Sequence, residues 1–178
     1  HPIIGQLTLP VPDSVRIRDA EIPGDPAIPI RIYTPEGDHE RGALVFAHGG
    51  GWRSGSPETA NEHTGWLAHD ADVVVVSVDY RLVPENPYPA GLDDLYDALE
   101  WTVDSADELG IDPSRVAIGG ESAGANLAAA VAIRARDEGG PAIALQLLEV
   151  PVLDLTDDHA ELWGRIQAAY RPLTLTPQ

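Results

Sequence analysis

Short apolar runs that alternate with helix-like segments constrain the fold of this chain more than any other feature. Strand-sized apolar runs lie at residues 43–47, 73–78, 116–118 and 142–148. Strands that are apolar on both faces are typical of a parallel sheet covered on both sides. Segments with helical periodicity lie between these runs, at residues 59–69, 92–109 and 123–136. This order predicts right-handed βαβ crossovers in a three-layer α/β domain, with a mostly parallel sheet and helices on both faces.

The N-terminal part of the chain has a different pattern. Residues 15–18 and 28–33 alternate apolar and polar side chains, which is typical of half-buried strands. Proline and glycine bound both segments, so we expect an antiparallel pair near the edge of the sheet. Residues 1–13 are rich in proline and lack periodicity, which indicates an arm or a loop. A length of 178 residues fits a single domain.

Composition narrows the classes of function. The chain has no cysteine, which excludes disulfides, thiolate metal sites and cysteine nucleophiles. The net charge of -18 argues against nucleic acid as a partner, because a polyanion would be repelled. No apolar run is long enough to span a membrane and no secretion signal is visible, so we expect a cytoplasmic protein, with secretion left open. All 11 basic residues are arginine, which fits either a high-GC genome or adaptation to high salt.

One short motif carries the chemistry of a serine nucleophile. Gly120-Glu121-Ser122-Ala123-Gly124 matches the pattern G-x-S-x-G. It follows a predicted strand and opens an alanine-rich helix, which is the setting in which a strained turn exposes the serine hydroxyl. Glycine is expected on both sides because the turn brings helix and strand too close for side chains. The helix N-terminus would direct its positive dipole end at a developing oxyanion.

A second motif follows the strand at residues 43–47. His48-Gly49-Gly50-Gly51-Trp52 has three consecutive glycines, which let the backbone present N–H groups to a ligand without side-chain obstruction. A phosphate cradle is poorly supported, because neither a Gly-Lys-Ser/Thr sequence nor a G-x-G-x-x-G pattern accompanies the loop. We expect His48 to brace this loop rather than to act as a general base.

These motifs together resemble the hormone-sensitive-lipase family of α/β-hydrolases. The HGGGW sequence precedes GESAG by about seventy residues, as in that family. Asp79-Tyr80-Arg81-Leu82-Val83-Pro84-Glu85, Tyr88-Pro89-Ala90 and Val150-Pro151-Val152-Leu153-Asp154 resemble three further family segments. The resemblance covers about residues 30–176 and implies the α/β-hydrolase fold. It also implies a single incomplete domain: 1–13 an N-terminal arm or cap piece, 14–153 the core, and 154–178 the start of a cap-proximal segment.

The resemblance assigns roles to the residues of both motifs. Ser122 would attack an ester carbonyl, and the N–H groups of Gly50, Gly51 and Ala123 would form the oxyanion hole. Glu121 stands where the family more often has aspartate, and we expect its side chain to support the residues around the reacting atoms. Supporting roles fall to His48, Gly49, Trp52, Gly120, Glu121 and Gly124.

Asp79 and Arg81 are interpreted as structural. We expect them to form a charged pair that fixes the loop past the strand at residues 73–78.

The sequence lacks a recognisable base for this serine. A serine hydroxyl needs a general base and an orienting carboxylate, and in this fold both come after later strands. The chain ends before such a strand, so we expect them in a missing C-terminal portion. His159 is the only histidine after Ser122. Although Asp157 and Asp158 flank it, we interpret this stretch as a loop, with Asp158 as the N-cap of a following helix.

The expected function is hydrolysis of small to medium acyl esters through a Ser122 acyl-enzyme, without a metal or an organic cofactor. Ile3, Ile4 and Leu7 would shield the acyl pocket, unless the N-terminus is simply frayed. Two rivals remain: a non-catalytic ligand-binding protein on the same core, and a peptidase or amidase. A second chain that supplies the missing residues, and association of copies through exposed sheet, also remain open.

Overall fold

The computed structural model describes residues 9–154, which form a six-stranded sheet with helices on both faces. The strands lie in the order β1-β2-β4-β3-β5-β6. Strands β3, β4, β5 and β6 run parallel to one another, whereas β1 and β2 are antiparallel to their neighbours. The bounds are β1 Val15–Ile22, β2 Ile28–Pro35, β3 Arg41–Ala47, β4 Val74–Val78, β5 Ile111–Glu121 and β6 Leu145–Glu149. The predicted α/β class, the mostly parallel sheet and the antiparallel pair at its edge are confirmed.

Four helices connect the parallel strands within the described residues. They are α1 Asn61–Ala71, α2 Ala90–Asp104, α3 Ala106–Leu109 and α4 Ala123–Glu138. The prediction of one continuous helix over residues 92–109 is wrong, because the helix is interrupted at Ser105. That residue has φ -93° and ψ 16°, outside helical geometry. Serine and aspartate disfavour helix interiors because their side chains compete for backbone hydrogen bonds, and this break lies between Asp104 and Asp107.

The sheet is buried from both sides by two separate apolar clusters. Val45 and Val76 face the side covered by α2 and α4, where Leu95 and Val131 pack against them. The alternate strand residues face α1, which covers them with side chains such as Ala68. Burial of each large apolar side chain contributes about 1.5–3 kcal/mol, so the central strands need their apolar character on both faces. The continuous apolar runs therefore reflect a three-layer arrangement.

Strand β6 differs from its prediction. The apolar run was expected to form a fully buried strand over residues 142–148, but β6 begins only at Leu145, which is 59% exposed. Within residues 9–154, β5 is the only strand paired with β6, so one edge of β6 lacks a strand partner. Full burial of this run is therefore wrong for the described part of the chain, because burial of a strand requires neighbours on both sides.

Several sequence interpretations fall outside the described residues. Ile3, Ile4 and Leu7 lie there, as do Asp157, Asp158 and His159. The division of the chain into arm, core and cap-proximal segment therefore stays a prediction.

Candidate active site

The pairing of β3 with β5 brings the two glycine-rich motifs together. The strands are parallel, and Ala47 pairs with Gly120 in their shared register. The next residues, His48 and Glu121, therefore leave the sheet side by side at the same edge. The glycine loop and the serine turn are about seventy residues apart in sequence but adjacent in space.

Ser122 occupies a strained turn between β5 and α4. Its φ of 53° and ψ of -111° are rarely adopted by a residue with a side chain. The Ser122 N–H donates to the carbonyl oxygen of Glu149 over 2.8 Å, and the Ser122 carbonyl oxygen accepts from the Asn126 N–H over 3.1 Å. The residue is half-buried rather than enclosed. This geometry is the strand–turn–helix arrangement that exposes a nucleophilic hydroxyl.

Gly120 and Gly124 permit the close contact between this turn and β3. A Cβ atom on Gly120 would lie 2.6 Å from the carbonyl oxygen of Ala47. A Cβ atom on Gly124 would lie 2.5 Å from the carbonyl oxygen of His48 and collide with that of Ala47. Backbone atoms cannot move aside as a flexible side chain can. The predicted close approach at both glycines is confirmed.

The start of α4 leaves donors beside Ser122. The first bond of the helix is the one from the Asn126 N–H to the Ser122 carbonyl. The N–H groups of the preceding first-turn residues therefore have no acceptor within the helix. The Ala123 N–H is one of these groups and lies next to Ser122. Its position at the positive end of the helix dipole favours a neighbouring negative charge.

The N–H groups of Gly50 and Gly51 point away from the contacts that the preceding carbonyls make. The Gly49 carbonyl accepts from the His48 ring over 2.8 Å, and the Gly50 carbonyl accepts from the Ser54 N–H over 3.1 Å. In a trans peptide the N–H points opposite to the carbonyl, so both following N–H groups point away from these turns. Within residues 9–154, neither N–H donates to a protein acceptor. Two N–H groups of the loop are therefore not used in hydrogen bonds within this part of the chain.

Backbone conformation explains why glycine is needed in this loop. Gly50 has φ 128° and Gly51 has φ 63°, both in the region that favours glycine. A Cβ atom on Gly50 would collide with the carbonyl of Ser54, whereas one on Gly51 would meet nothing within 4 Å. The space next to the Gly51 Cα, where a side chain would lie, is therefore open.

His48 has the surroundings of a structural residue. Its ring is 1% exposed and stacks on the Tyr80 ring with centroids 4.3 Å apart. Because a carbonyl only accepts, the contact with Gly49 places the proton on Nδ1. Burial lowers the pKa of His48, which keeps the imidazole neutral at neutral pH. The Nε2 atom is buried without a partner among the described residues. These features support the expected bracing role rather than that of a general base.

Glu121 and Trp52 contact the glycine loop in different ways. The Glu121 carboxylate packs against Gly49, where a Cβ atom would lie 3.4 Å from its carbon and Oε2. The Trp52 carbonyl accepts from the Val83 N–H over 2.9 Å. The backbone of Trp52 has a φ of 61°. The Trp52 side chain also lines an apolar pocket of about 310 Å³, together with Tyr80, Val83, Leu92, Asn126 and Leu127 among others.

The expected ion pair between Asp79 and Arg81 is wrong. Arg81 instead pairs with Asp94, at 2.8 Å between a guanidinium nitrogen and Oδ1. The Arg81 backbone N–H also donates to Asp94 Oδ2 over 2.7 Å. Asp94 is 2% exposed, and a buried carboxylate requires such charged and hydrogen-bonded partners. Asp94 could not be identified from the sequence, because its only local signal is an acidic residue near the start of a helix.

No general base for Ser122 is found in the described part of the chain. Three histidines pair with acidic residues: His39 with Asp72, His63 with Glu149, and His69 with Asp70. The fourth histidine in this range, His48, bonds to the Gly49 carbonyl. No histidine ring between residues 9 and 154 hydrogen-bonds to Ser122. The predicted nucleophile and donors are therefore brought together without the remaining groups that the chemistry needs.

Two other classes of feature are absent from residues 9–154. No three histidine, aspartate or glutamate side chains are grouped so that they could hold a metal ion. None of the helices there has both the length and the apolar character needed to cross a bilayer.

Comparison with known proteins identifies relatives for most of the chain. A family described as having the alpha/beta hydrolase fold matches residues 44–177. Carboxylesterase NlhH of Mycobacterium tuberculosis is 49% identical over 125 residues, which are 70% of this chain and 39% of that protein. Arylacetamide deacetylase of Bos taurus is 43% identical over 111 residues, which are 59% of this chain and 28% of that protein. The chain thus spans well under half the length of these curated relatives.

A solved structure gives the same result. EstE1, a thermophilic carboxylesterase cloned from a metagenomic library, is 42% identical and superposes with a TM-score of 0.81. The match covers 85% of this chain and 51% of EstE1. At this identity the likeness concerns more than the general fold. The motifs, the strand order and these matches agree, and the chain belongs to the α/β-hydrolases, in their hormone-sensitive-lipase family.

Proposed function

We propose that the complete natural protein carrying this sequence hydrolyses carboxylic esters through an acyl-enzyme on Ser122. The observation that carries the proposal is the pairing of Ala47 with Gly120, which places the strained serine turn beside the glycine loop. A hydroxyl next to outward-facing amides is the arrangement that acyl transfer requires. The named carboxylesterase relatives support the same reaction class.

The residues suggest the following steps. The Ser122 Oγ attacks the ester carbonyl carbon while its proton passes to a general base, which gives a tetrahedral oxyanion. The N–H groups of Gly50, Gly51 and Ala123 donate to this oxygen, each contributing about 3 kcal/mol to stabilisation of the transition state. Collapse of the intermediate expels the alcohol, which takes up the proton. Water then attacks the acyl-enzyme and releases the acid.

We propose that the base and its orienting carboxylate come from outside residues 9–154. In this fold the order along the chain is serine, then aspartate or glutamate, then histidine. The histidines at positions 39, 48, 63 and 69 have other partners. Robust turnover by the 178-residue chain alone would instead direct attention to His159.

The proposed substrates are small to medium acyl esters. The apolar pocket of about 310 Å³ near Trp52 and Leu127 is consistent with a modest apolar group close to the site. Amide hydrolysis is a second candidate, because one relative is named an arylacetamide deacetylase. Comparing p-nitrophenyl acetate with p-nitroacetanilide, which releases the same acyl group from an amide, would separate the two.

Replacement of the nucleophile tests the proposal. Ser122→Ala in the complete protein should reduce turnover of p-nitrophenyl butyrate by at least about 10⁴-fold, because no acyl-enzyme can form. A fluorophosphonate probe should label the native protein at Ser122 and leave the variant unlabelled, as read by peptide mass spectrometry.

Ser114→Ala provides the matched control. Ser114 is an exposed serine whose hydroxyl bonds to Asp112, and its loss should leave turnover unchanged. Retention of turnover in the Ser122 variant would refute the nucleophile assignment.

Location and assembly remain sequence-based proposals. We propose a cytoplasmic enzyme that acts on small molecules, and fractionation of the native host would test the location. Sedimentation of the complete protein would show whether a second copy or another chain associates with it.

A further inference from the structure

Residues 80–83 contact both ends of the glycine loop. The Tyr80 hydroxyl donates to the His48 carbonyl oxygen over 2.9 Å, immediately before the three glycines. The Val83 N–H donates to the Trp52 carbonyl oxygen over 2.9 Å, immediately after them. Glycine has no side chain with which to fix its own conformation, so such a loop needs support from outside. Residues 80–83 supply that support at both ends.

The contact with Tyr80 is packed against His48 and shielded from water. Tyr80 is 2% exposed, and its ring stacks on His48 with 15° between the ring planes. Burial raises the pKa of the Tyr80 hydroxyl well above its usual value, so the hydroxyl keeps its proton and remains a donor.

An ion pair ties the same residues to a helix. The Arg81 guanidinium and backbone N–H both bond to Asp94, which is buried in α2. Helix α2 packs in turn against α4, the helix that begins at the nucleophile. The support for the glycine loop and the support for Ser122 are therefore parts of one packed layer.

We propose that residues 80–83 act as a clamp that positions the oxyanion-hole amides, with Tyr80 as a positioning residue and the Arg81–Asp94 pair as its anchor. This inference rests on the proposed esterase function. Tyr80 does not donate to the oxyanion itself; it acts through the His48 carbonyl. Donors of an oxyanion hole stabilise the transition state only when they are fixed before the reaction, so a loosened loop should lose transition-state binding while substrate binding persists.

Tyr80→Phe in the complete protein tests the clamp, because it removes the hydroxyl and keeps the stacked ring. With p-nitrophenyl butyrate we expect kcat to fall about 10- to 100-fold, since small misplacements in an active site have effects of this size. KM should stay within about twofold of the native value, because ground-state binding is not affected. The affinity for an alkyl trifluoromethyl ketone, whose adduct with serine carries an oxyanion, should weaken by about the same factor as kcat.

Tyr33→Phe is the matched control. Tyr33 is also a buried tyrosine. Its hydroxyl donates to the Asn61 side chain over 3.0 Å, and it packs in the cluster with α1, on the other face of the sheet. It should lower thermal stability about as much as Tyr80→Phe while kcat and ketone affinity stay native. Arg81→Lys keeps the charge but loses the paired contact with Asp94, and it should lower kcat in the same selective way. This second variant decides the question if Tyr80→Phe does not fold.

The outcomes separate the clamp from the reaction. If the native protein is active and a folded Tyr80→Phe variant keeps native kcat and ketone affinity, the hydroxyl is only structural and the clamp is refuted. An equal loss in Tyr33→Phe would refute it too. If the native protein lacks esterase activity, or Ser122→Ala keeps it, the proposed function itself fails.

Discussion

Ser122 is one of the residues near the site that carry backbone strain, together with Trp52. A side chain held at φ 53° and ψ -111° costs about 1–3 kcal/mol, whereas glycine adopts positive φ without penalty. The strain persists because contacts on both sides of the residue hold the turn: the bond to Glu149 and the close packing of Gly120 and Gly124 against β3. Such over-determined strain is common where a reactive group must be presented.

Relief of this strain should stabilise the protein. We expect Ser122→Gly to raise the free energy of unfolding of the complete protein by about 1 kcal/mol in urea titrations. Ser122→Ala is the control, because it keeps the Cβ atom and should not show the gain. Equal stability of the glycine and alanine variants would mean that the turn is relaxed in solution.

Among the residues of the site, those marked by a local sequence pattern could be predicted. Contacts between residues far apart in the sequence could not. The sequence pointed to Ser122 and the two glycine-rich motifs because each combines an unusual run of residues with a strand beside it. It did not reveal that Tyr80 bonds to His48, because the two are 32 residues apart and nothing local marks the contact. The partner of Arg81 was mistaken for the same reason.

At the scale of elements, the spacing of apolar residues predicted the type and the order of the helices and strands well. It predicted their boundaries less well. The central strands β3 and β4 match their apolar runs within two residues, because both faces of each are buried. The helix predicted over residues 92–109 is two helices, since periodicity does not report the local competition at Ser105. Strand β6 is less buried than its composition suggests, because burial depends on neighbours that the run itself does not specify.

The contact between α4 and β3 leaves no room for a side chain at Gly124. Gly124→Ala should destabilise the protein by about 2–4 kcal/mol, because the new Cβ atom would collide with the main chain of β3. Gly139→Ala is the control: it has φ 70° at the end of α4 and open space around it, so it should cost only about 1 kcal/mol. Urea unfolding measures both. Similar costs for the two variants would contradict the tight packing.

The 178-residue chain carries 29 acidic residues against 11 arginines. Many of the arginines are already in ion pairs on the surface, such as Arg18 with Glu108 and Arg136 with Asp137. The excess of negative charge therefore has few cations near it, and self-repulsion opposes the compact state. Exposed pairs of this kind contribute at most about 1 kcal/mol each, so they do not offset the imbalance.

Added salt should therefore raise stability. Raising NaCl from about 0.1 M to about 1 M shortens the Debye length from about 10 Å to about 3 Å, which screens the repulsion. We expect the melting temperature to rise across this range at pH 7. The gain should shrink near pH 4, where carboxylates begin to take up protons. A melting temperature that falls with salt at pH 7 would argue against adaptation to high salt.

The hydrogen bond from the Ser122 N–H to the Glu149 carbonyl also has a consequence for synthesis of the chain. Glu149 in β6 follows Ser122 by 27 residues, so the ribosome must release β6 before this hydrogen bond can hold the Ser122 turn. Until then the nascent chain exposes a serine without its final geometry. The backbone geometry of this turn is therefore completed only after β6 has paired with β5.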